Sequence, residues 1–398
     1  MASTSWRVMS PWTASMRTGS HYVDATMTTF ITRLGTSGAG LRLAVKDLID
    51  LAGLPTTAGC AVVAEGAKPA AQDAACMAGT RAAEKAGAVR IVGKANLHEL
   101  AFGATGINRA FGTPVNPLDA RLIPGGSSSG SAVAVGGDEA DVAFGSDTGG
   151  SVRVPSACCG TAGLKTTHGR IPLDGVWPLA SSLDTIGPMA RDVAGLVAGM
   201  QLLEPGFEVA GAPPATVGRF RPADGVHPEI DLAVDRALAA AGCEVVEVDL
   251  PGWTEAFSTG GIVIVAEAAT ALGHLLERRH QLGEDVAVRI EVGRTVTADT
   301  VAAAEGARAR WRAELDAAFS RVELIALPTL AVWPPTPDEL DELQLTRLTM
   351  PVNLAGVPAL VLPVPAGRVP ASIQLLAPPG GEERLLAFGA AFERAVGV

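Results

Sequence analysis

The order of β-like and helical segments predicts an α/β layer architecture. Short β-like runs alternate with helical stretches over residues 41–203, with glycine and proline between them; longer helical patterns follow, and core-like segments return near Leu324. With 398 residues, 48% apolar and 18% charged, the chain reads as a folded globular protein with a large core, either one big α/β unit or two domains. No internal repeat or low-complexity linker interrupts it.

Each element has its own signal. Residues 41–51 read as a strand, Leu-Arg-Leu-Ala-Val, running into Lys-Asp-Leu-Ile-Asp-Leu, and Gly53, Pro55 and Gly59 mark the turns behind it. Residues 73–86 have helical spacing, with Asp73 as N-cap and Gly87 at the end. A β segment at 89–92 is followed by an expected helix at 95–102. The Thr-Pro-Val-Asn-Pro run after Gly112 is extended, because proline biases its predecessor away from helix. Helix is expected at 131–135, a buried strand at 141–144 and helix at 192–203. Residues 204–322 change character, with helices at 228–241, 255–279 and 298–319 and a strand at 243–249, and read as a more variable helical insertion covering one face. Short segments at 324–327, 350–355, 359–364 and 372–376 precede a closing helix at 382–396.

The net charge of −11 argues against nucleic acid or an anionic membrane as the main partner, since both call for basic patches. The best membrane candidate, residues 260–273, is short and carries Glu267, so a buried helix is expected there. The five cysteines, Cys60, Cys76, Cys158, Cys159 and Cys243, have no metal-ligand spacing and read as buried thiols in a reducing cytoplasm. Residues 1–30 are rich in Ser, Thr, Met and Trp, unlike the Ala/Gly/Val-rich body. They lack a basic segment followed by an apolar run, which argues against a signal peptide. They are expected to be a disordered or non-native extension, with Met27 as the natural start.

Two glycine-flanked serine clusters, residues 125–131 and 145–151, form the chemical centre of the sequence. Glycine at this density lets a substrate approach main-chain N–H groups. Serines there pack poorly but serve as nucleophiles and proton carriers, provided a base exists. Six histidines are available, and a Ser-His-Asp triad stays open because its members need not be adjacent, although no Gly-x-Ser-x-Gly elbow surrounds either cluster. Lys46 is the other option. It ends an apolar strand, where burial can leave a neutral amine able to take a proton. The competing reading is a salt bridge from Lys46 to Asp47.

Several ordered motifs carry a resemblance: Val45-Lys46-Asp47, Gly93-Lys94-Ala95-Asn96, Pro124-Gly125-Gly126-Ser127-Ser128, Gly145-Ser146-Asp147-Thr148-Gly149-Gly150-Ser151-Val152-Arg153, Gly163-Leu164-Lys165 and Leu183-Asp184-Thr185-Ile186-Gly187-Pro188. Pro351-Val352-Asn353-Leu354-Ala355-Gly356, Pro358 and Ile373-Gln374-Leu375 extend it towards the C-terminus. The sequence resembles the amidase signature family, serine hydrolases of the Ser-Ser-Lys type. The resemblance implies a single α/β/α domain, residues 31–398, around a central mixed sheet flanked by helices. It also implies Ser151 as nucleophile, Ser127 as a relay in a cis peptide and Lys46 as base. The backbone N–H groups of Thr148, Gly149, Gly150 and Ser151 would form the oxyanion hole, with Ser128, Asp147 and Arg153 bracing the site. Ser129 stands where the family pattern has glycine. His98 and Glu99 are expected to be structural, and Trp177 either lines the acyl pocket or packs in the core.

The expected activity is hydrolysis of a small amide to a carboxylic acid and ammonia or an amine, extending to esters or carbamates. The expected enzyme needs no cofactor and no metal, and acts on a small-molecule amide without nucleic acid or membrane, alone or as a homodimer. The alternative within the resemblance is the A-type component of a glutamyl-tRNA amidotransferase, which needs partners. From a different class, the glycine loops could form an anion-binding nest, although no Gly-x-x-x-x-Gly-Lys-Ser/Thr loop is present.

Overall fold

The computed structural model describes residues 28–209, 216–223 and 225–397. Of the expected N-terminal extension, residues 1–27 lie outside the described residues. Thr28, Thr29 and Phe30 are buried, and Phe30 opens the first strand.

The strands are β1 (Phe30–Arg33), β2 (Leu41–Lys46), β3 (Val89–Ala95), β4 (Val142–Ser146), β5 (Ala162–Lys165), β6 (Ile186–Ala190), β7 (Thr216–Phe220), β8 (Glu244–Val248), β9 (Leu324–Pro328), β10 (Ala359–Val364) and β11 (Ala371–Leu376). The helices are α1 (Ala61–Gly66), α2 (Ala78–Lys85), α3 (Ser129–Gly136), α4 (Arg153–Cys159), α5 (Val193–Leu203), α6 (Pro228–Ala241), α7 (Trp253–Leu272), α8 (Glu284–Gly293), α9 (Ala298–Phe319), α10 (Glu342–Thr346), α11 (Met350–Ala355) and α12 (Glu382–Val396). Among the described residues, eleven strands form one mixed sheet in the order β1-β3-β2-β4-β6-β5-β10-β11-β9-β7-β8. The β3–β2–β4 and β9–β7–β8 portions are parallel, and the middle is antiparallel.

Side chains alternate across the sheet, and the alternation builds the three layers. Ala44, Val92, Ala143 and Met189 pack with Ala132 to Val135 of α3 on one face. Leu43, Val45, Val142 and Phe144 point to the other, with Val193 and Leu196 of α5 and Leu385, Leu386 and Phe392 of α12. Residues 204–322 supply helices and also add β7 and β8 to one sheet edge.

Three local expectations change. Residues 95–102 form no helix beyond a 3-10 turn, Glu99–Ala101, with Leu100 at φ 55°. Side-chain and backbone bonds hold the segment open: Asn96 Nδ2 donates to Thr28 O at 2.8 Å and Gly112 O at 2.9 Å, and His98 N donates to Ser127 O at 2.9 Å. Asp73 caps no helix; α2 starts later, and the carboxylate binds Ala52 N and Arg81 instead. Helix α7 runs on as a 3-10 helix to Gln281, giving 29 residues that are long and apolar enough to cross a membrane by length and composition alone. Here α7 packs against α8, α9 and α11, with about a third of its most apolar window buried.

Candidate active site

Lys46 and Ser146 are the last residues of adjacent parallel strands, β2 and β4. The carboxyl end of parallel strands is where open α/β sheets place their ligands. Alternation sets Lys46 on the α3 face with Ala44, while Lys94, level with Val45, emerges on the opposite face. Asp47 follows that second face and pairs with Lys94 Nζ at 3.0 Å, both side chains fully buried. The competing reading, a salt bridge from Lys46 to Asp47, is therefore not the arrangement found.

Lys46 is fully buried and ends among hydroxyls. Its Nζ lies 2.7 Å from Ser127 Oγ, 2.8 Å from Ser128 Oγ and 2.8 Å from Ser146 Oγ. Burial lowers its pKa to about 7, although Asp147 and Asp184 act in the opposite direction. The peptide between Gly126 and Ser127 is cis, and Ser128 N donates to Ser151 O at 3.2 Å, which joins the two serine clusters. Ser146 gives no signal of its own in the sequence, where it is one more small residue in the Gly-Ser-Asp motif.

The loop between β4 and α4 is built on Asp147. Its carboxylate accepts from Gly150 N at 2.8 Å, Val152 N at 3.1 Å, Arg153 Nε at 3.0 Å and Asn353 Nδ2 at 2.8 Å. Although burial alone would raise it, the Arg153 guanidinium holds the Asp147 carboxyl well below the usual carboxylate range. Arg153 in turn donates to Thr349 O at 3.0 Å, to Gln374 Oε1 at 2.6 Å and to Asn353 Oδ1. Thr349 Oγ1 donates to Gly149 O at 2.6 Å, and Thr148 Oγ1 to Asp184 Oδ1 at 2.6 Å. Asn353 and Gln374 lie in motifs visible in the sequence; Thr349 gives no signal there.

This frame decides which amides are open. Gly150, expected to offer its N–H to an oxyanion, gives it to Asp147 instead. The N–H groups of Thr148, Gly149 and Ser151 have no acceptor among the described residues. All four residues line a cavity of about 380 Å³. Its walls include Phe102, Phe257, Ile264, Val265, Leu179 and Met350, and its two charged residues are Arg289 and Glu342. Trp177 is not among the lining residues and packs against the main core. None of the described histidines lines the cavity; His98 Nε2 is held by Asp285 at 3.0 Å. The described residues hold no cluster of His, Cys, Asp and Glu arranged for a metal.

A family model described as Amidase matches residues 34–205 and 214–386. The A-type component of the glutamyl-tRNA(Gln) amidotransferase of Thermus thermophilus is 39% identical over 407 residues, covering 90% of this chain and 85% of its own. The 2-amino-5-chloromuconic acid deaminase of Comamonas testosteroni is 35% identical over 384 residues, covering 90% and 82%. A crystal structure of an amidase matches with a TM-score of 0.81 at 30% identity, over 89% of this chain and 84% of that one. The fold and these relatives define an enzyme class that works on carbon–nitrogen bonds. The chain belongs to the amidase family.

Proposed function

We propose that the enzyme hydrolyses small amides through an acyl-enzyme on Ser151, with Ser127 relaying protons to and from Lys46. The observation that carries this reading is a fully buried lysine facing three hydroxyls, with no carboxylate at ion-pair distance among the described residues. A neutral amine has two N–H bonds and one lone pair. Ser128 Oγ commits its hydrogen to Ser146 O at 3.2 Å and so accepts from Lys46, which leaves the lone pair for Ser127 or Ser146.

Ser151 Oγ adds to the amide carbon as its proton passes to Ser127 and the Ser127 proton to Lys46. The new oxyanion takes hydrogen bonds from the free N–H groups of Thr148, Gly149 and Ser151. Reversal of the relay protonates the leaving nitrogen, the C–N bond breaks, and ammonia or an amine departs. Water then adds to the acyl-enzyme by the same relay and releases a carboxylic acid. The apolar wall along α7 suits an aliphatic or aryl acyl group, and five unpaired, mostly buried cysteines suit a reducing compartment. Asp147, Arg153 and Ser128 brace this machinery.

The test is covalent labelling. A fluorophosphonate adduct is expected on Ser151 by peptide mass spectrometry, and Ser151→Ala is expected to lose both label and amide turnover. A label elsewhere, or turnover in the variant, defeats the mechanism. A second reading, one component of a tRNA-dependent amidotransferase, draws on the 39% identity to the Thermus relative so named. It expects glutaminase activity only when the partner proteins are supplied, whereas the first expects turnover of simple amides by this chain alone.

A further inference from the structure

The charged part of the cavity wall is already occupied by itself. Arg289 of α8 donates through Nη2 to Glu342 Oε2 and through Nη1 to Phe102 O at 2.6 Å. One turn earlier on α8, Asp285 Oδ2 lies 3.4 Å from the same guanidinium, and Asp285 is itself held by His98. The other oxygen of Glu342 accepts the N–H of Ala104, another lining residue. One guanidinium therefore stands between two carboxylates, with Nη1 and Nη2 both engaged. The pair is still within reach of a ligand, with side-chain exposures of 27% for Arg289 and 25% for Glu342.

We propose that Glu342 is a selectivity residue, an internal carboxylate that occupies Arg289 and so excludes amides whose acyl group carries a carboxylate. The proposal rests on the amide-hydrolase reading and adds to it the charge of the substrate. A lone arginine in an apolar cavity would attract a carboxylate and bind it in bidentate fashion. With Glu342 in place, an anionic acyl group must either displace that carboxylate or lie beside it, and like charges at such separations disfavour binding strongly. Uncharged acyl groups meet no such opposition and gain the apolar wall of α7.

The experiment compares two amides of matched length, hexanamide and the monoamide of adipic acid, by kcat/KM on the full chain. The wild-type enzyme is expected to prefer hexanamide. Glu342→Gln keeps the shape of the side chain and an acceptor for Ala104, and is expected to raise the ratio of anionic to neutral kcat/KM about tenfold or more. The gain is expected in KM for the anionic amide, and the double variant Arg289→Gln/Glu342→Gln is expected to lose it. An unchanged ratio in an active Glu342→Gln enzyme overturns the proposal, as does an equal loss on both substrates, which marks a purely structural role. A wild-type preference for the anionic amide also overturns it. If wild type hydrolyses neither amide, the amide-hydrolase reading fails first and takes the proposal with it.

Discussion

At the scale of single residues, Lys46 at the end of β2, the proposed base, is expected to set the pH range in which the site works. A base acts only in its unprotonated form, and burial brings Lys46 to about 7 from an ordinary value of 10.5. Activity is therefore expected to be lost as pH falls through about 7 and to level off above it. The measurement is kcat/KM for a neutral amide across pH 5.5 to 9, a range within reach of about two units around that pKa. A flat profile, or an inflection persisting unchanged in an active Lys46→Ala enzyme, would assign the base elsewhere. Lys46 was legible as a candidate because a lysine ending an apolar strand needs an explanation. What sets aside the salt bridge from Lys46 to Asp47 is the parity of the strand. Adjacent residues face opposite ways, so Asp47 could not share a face with Lys46 and meets Lys94 instead.

At the scale of elements, the β4–α4 loop is held by a residue from the far end of the sequence. Thr349, just before α11, donates to Gly149 O, and a Cβ at Gly150 (φ 134°) would lie 2.2 Å from its Oγ1. Thr349→Val is expected to release the Gly149 carbonyl, loosen the Gly149 and Ser151 N–H groups on either side of that peptide, and lower kcat about tenfold with KM little changed, since one misplaced donor of the proposed oxyanion hole costs up to about 10²–10³. Gly150→Ala is expected to lower kcat further with the fold retained, as circular dichroism would show. An effect on KM alone would put the loop in binding only. The loop motif was plain in the sequence, but its brace at Thr349 was not, because nothing local marks a threonine that acts across 200 residues. Elements were missed for similar reasons. Strand β6 contains Gly187 and Pro188, which argue against a strand. It forms because Pro188 sits beyond the end of the ladder to β5, where no N–H is required. Helix α8, Glu-Asp-Val-Ala-Val-Arg-Ile-Glu-Val-Gly, is rich in β-branched residues of low helix propensity, and its burial of Val286, Ala287 and Ile290 supplies what propensity does not.

At the scale of the whole molecule, two buried lysines carry a cost in stability that depends on pH. Lys46 and Lys165 are both fully buried and both brought to about 7, Lys165 by burial and by the nearby Arg153. Unfolded, each would titrate near 10.5, so between pH 7 and 10.5 the unfolded chain holds more protons and stability rises with pH. Above about 9 the buried thiols oppose this, since burial pushes Cys60, Cys76 and Cys158 up to about 12. The rise is therefore expected between pH 7 and 9, at up to about 1.4 kcal/mol per pH unit for each lysine. Urea unfolding at pH 7, 8 and 9 measures it, and Lys165→Met is expected to reduce the slope. A stability that falls over this window would mean that neither lysine is held neutral. The cavity has a separate consequence. Its floor comes from Gly126, just before α3, and from residues 148–151, just after β4, whereas Phe257, Ile264, Val265, Arg289, Glu342 and Met350 come from helices more than a hundred positions later in the chain. Inheritance can act on the two parts separately: a lineage can rewrite the walls one helix at a time and acquire new diets while the chemistry beneath stays as it was.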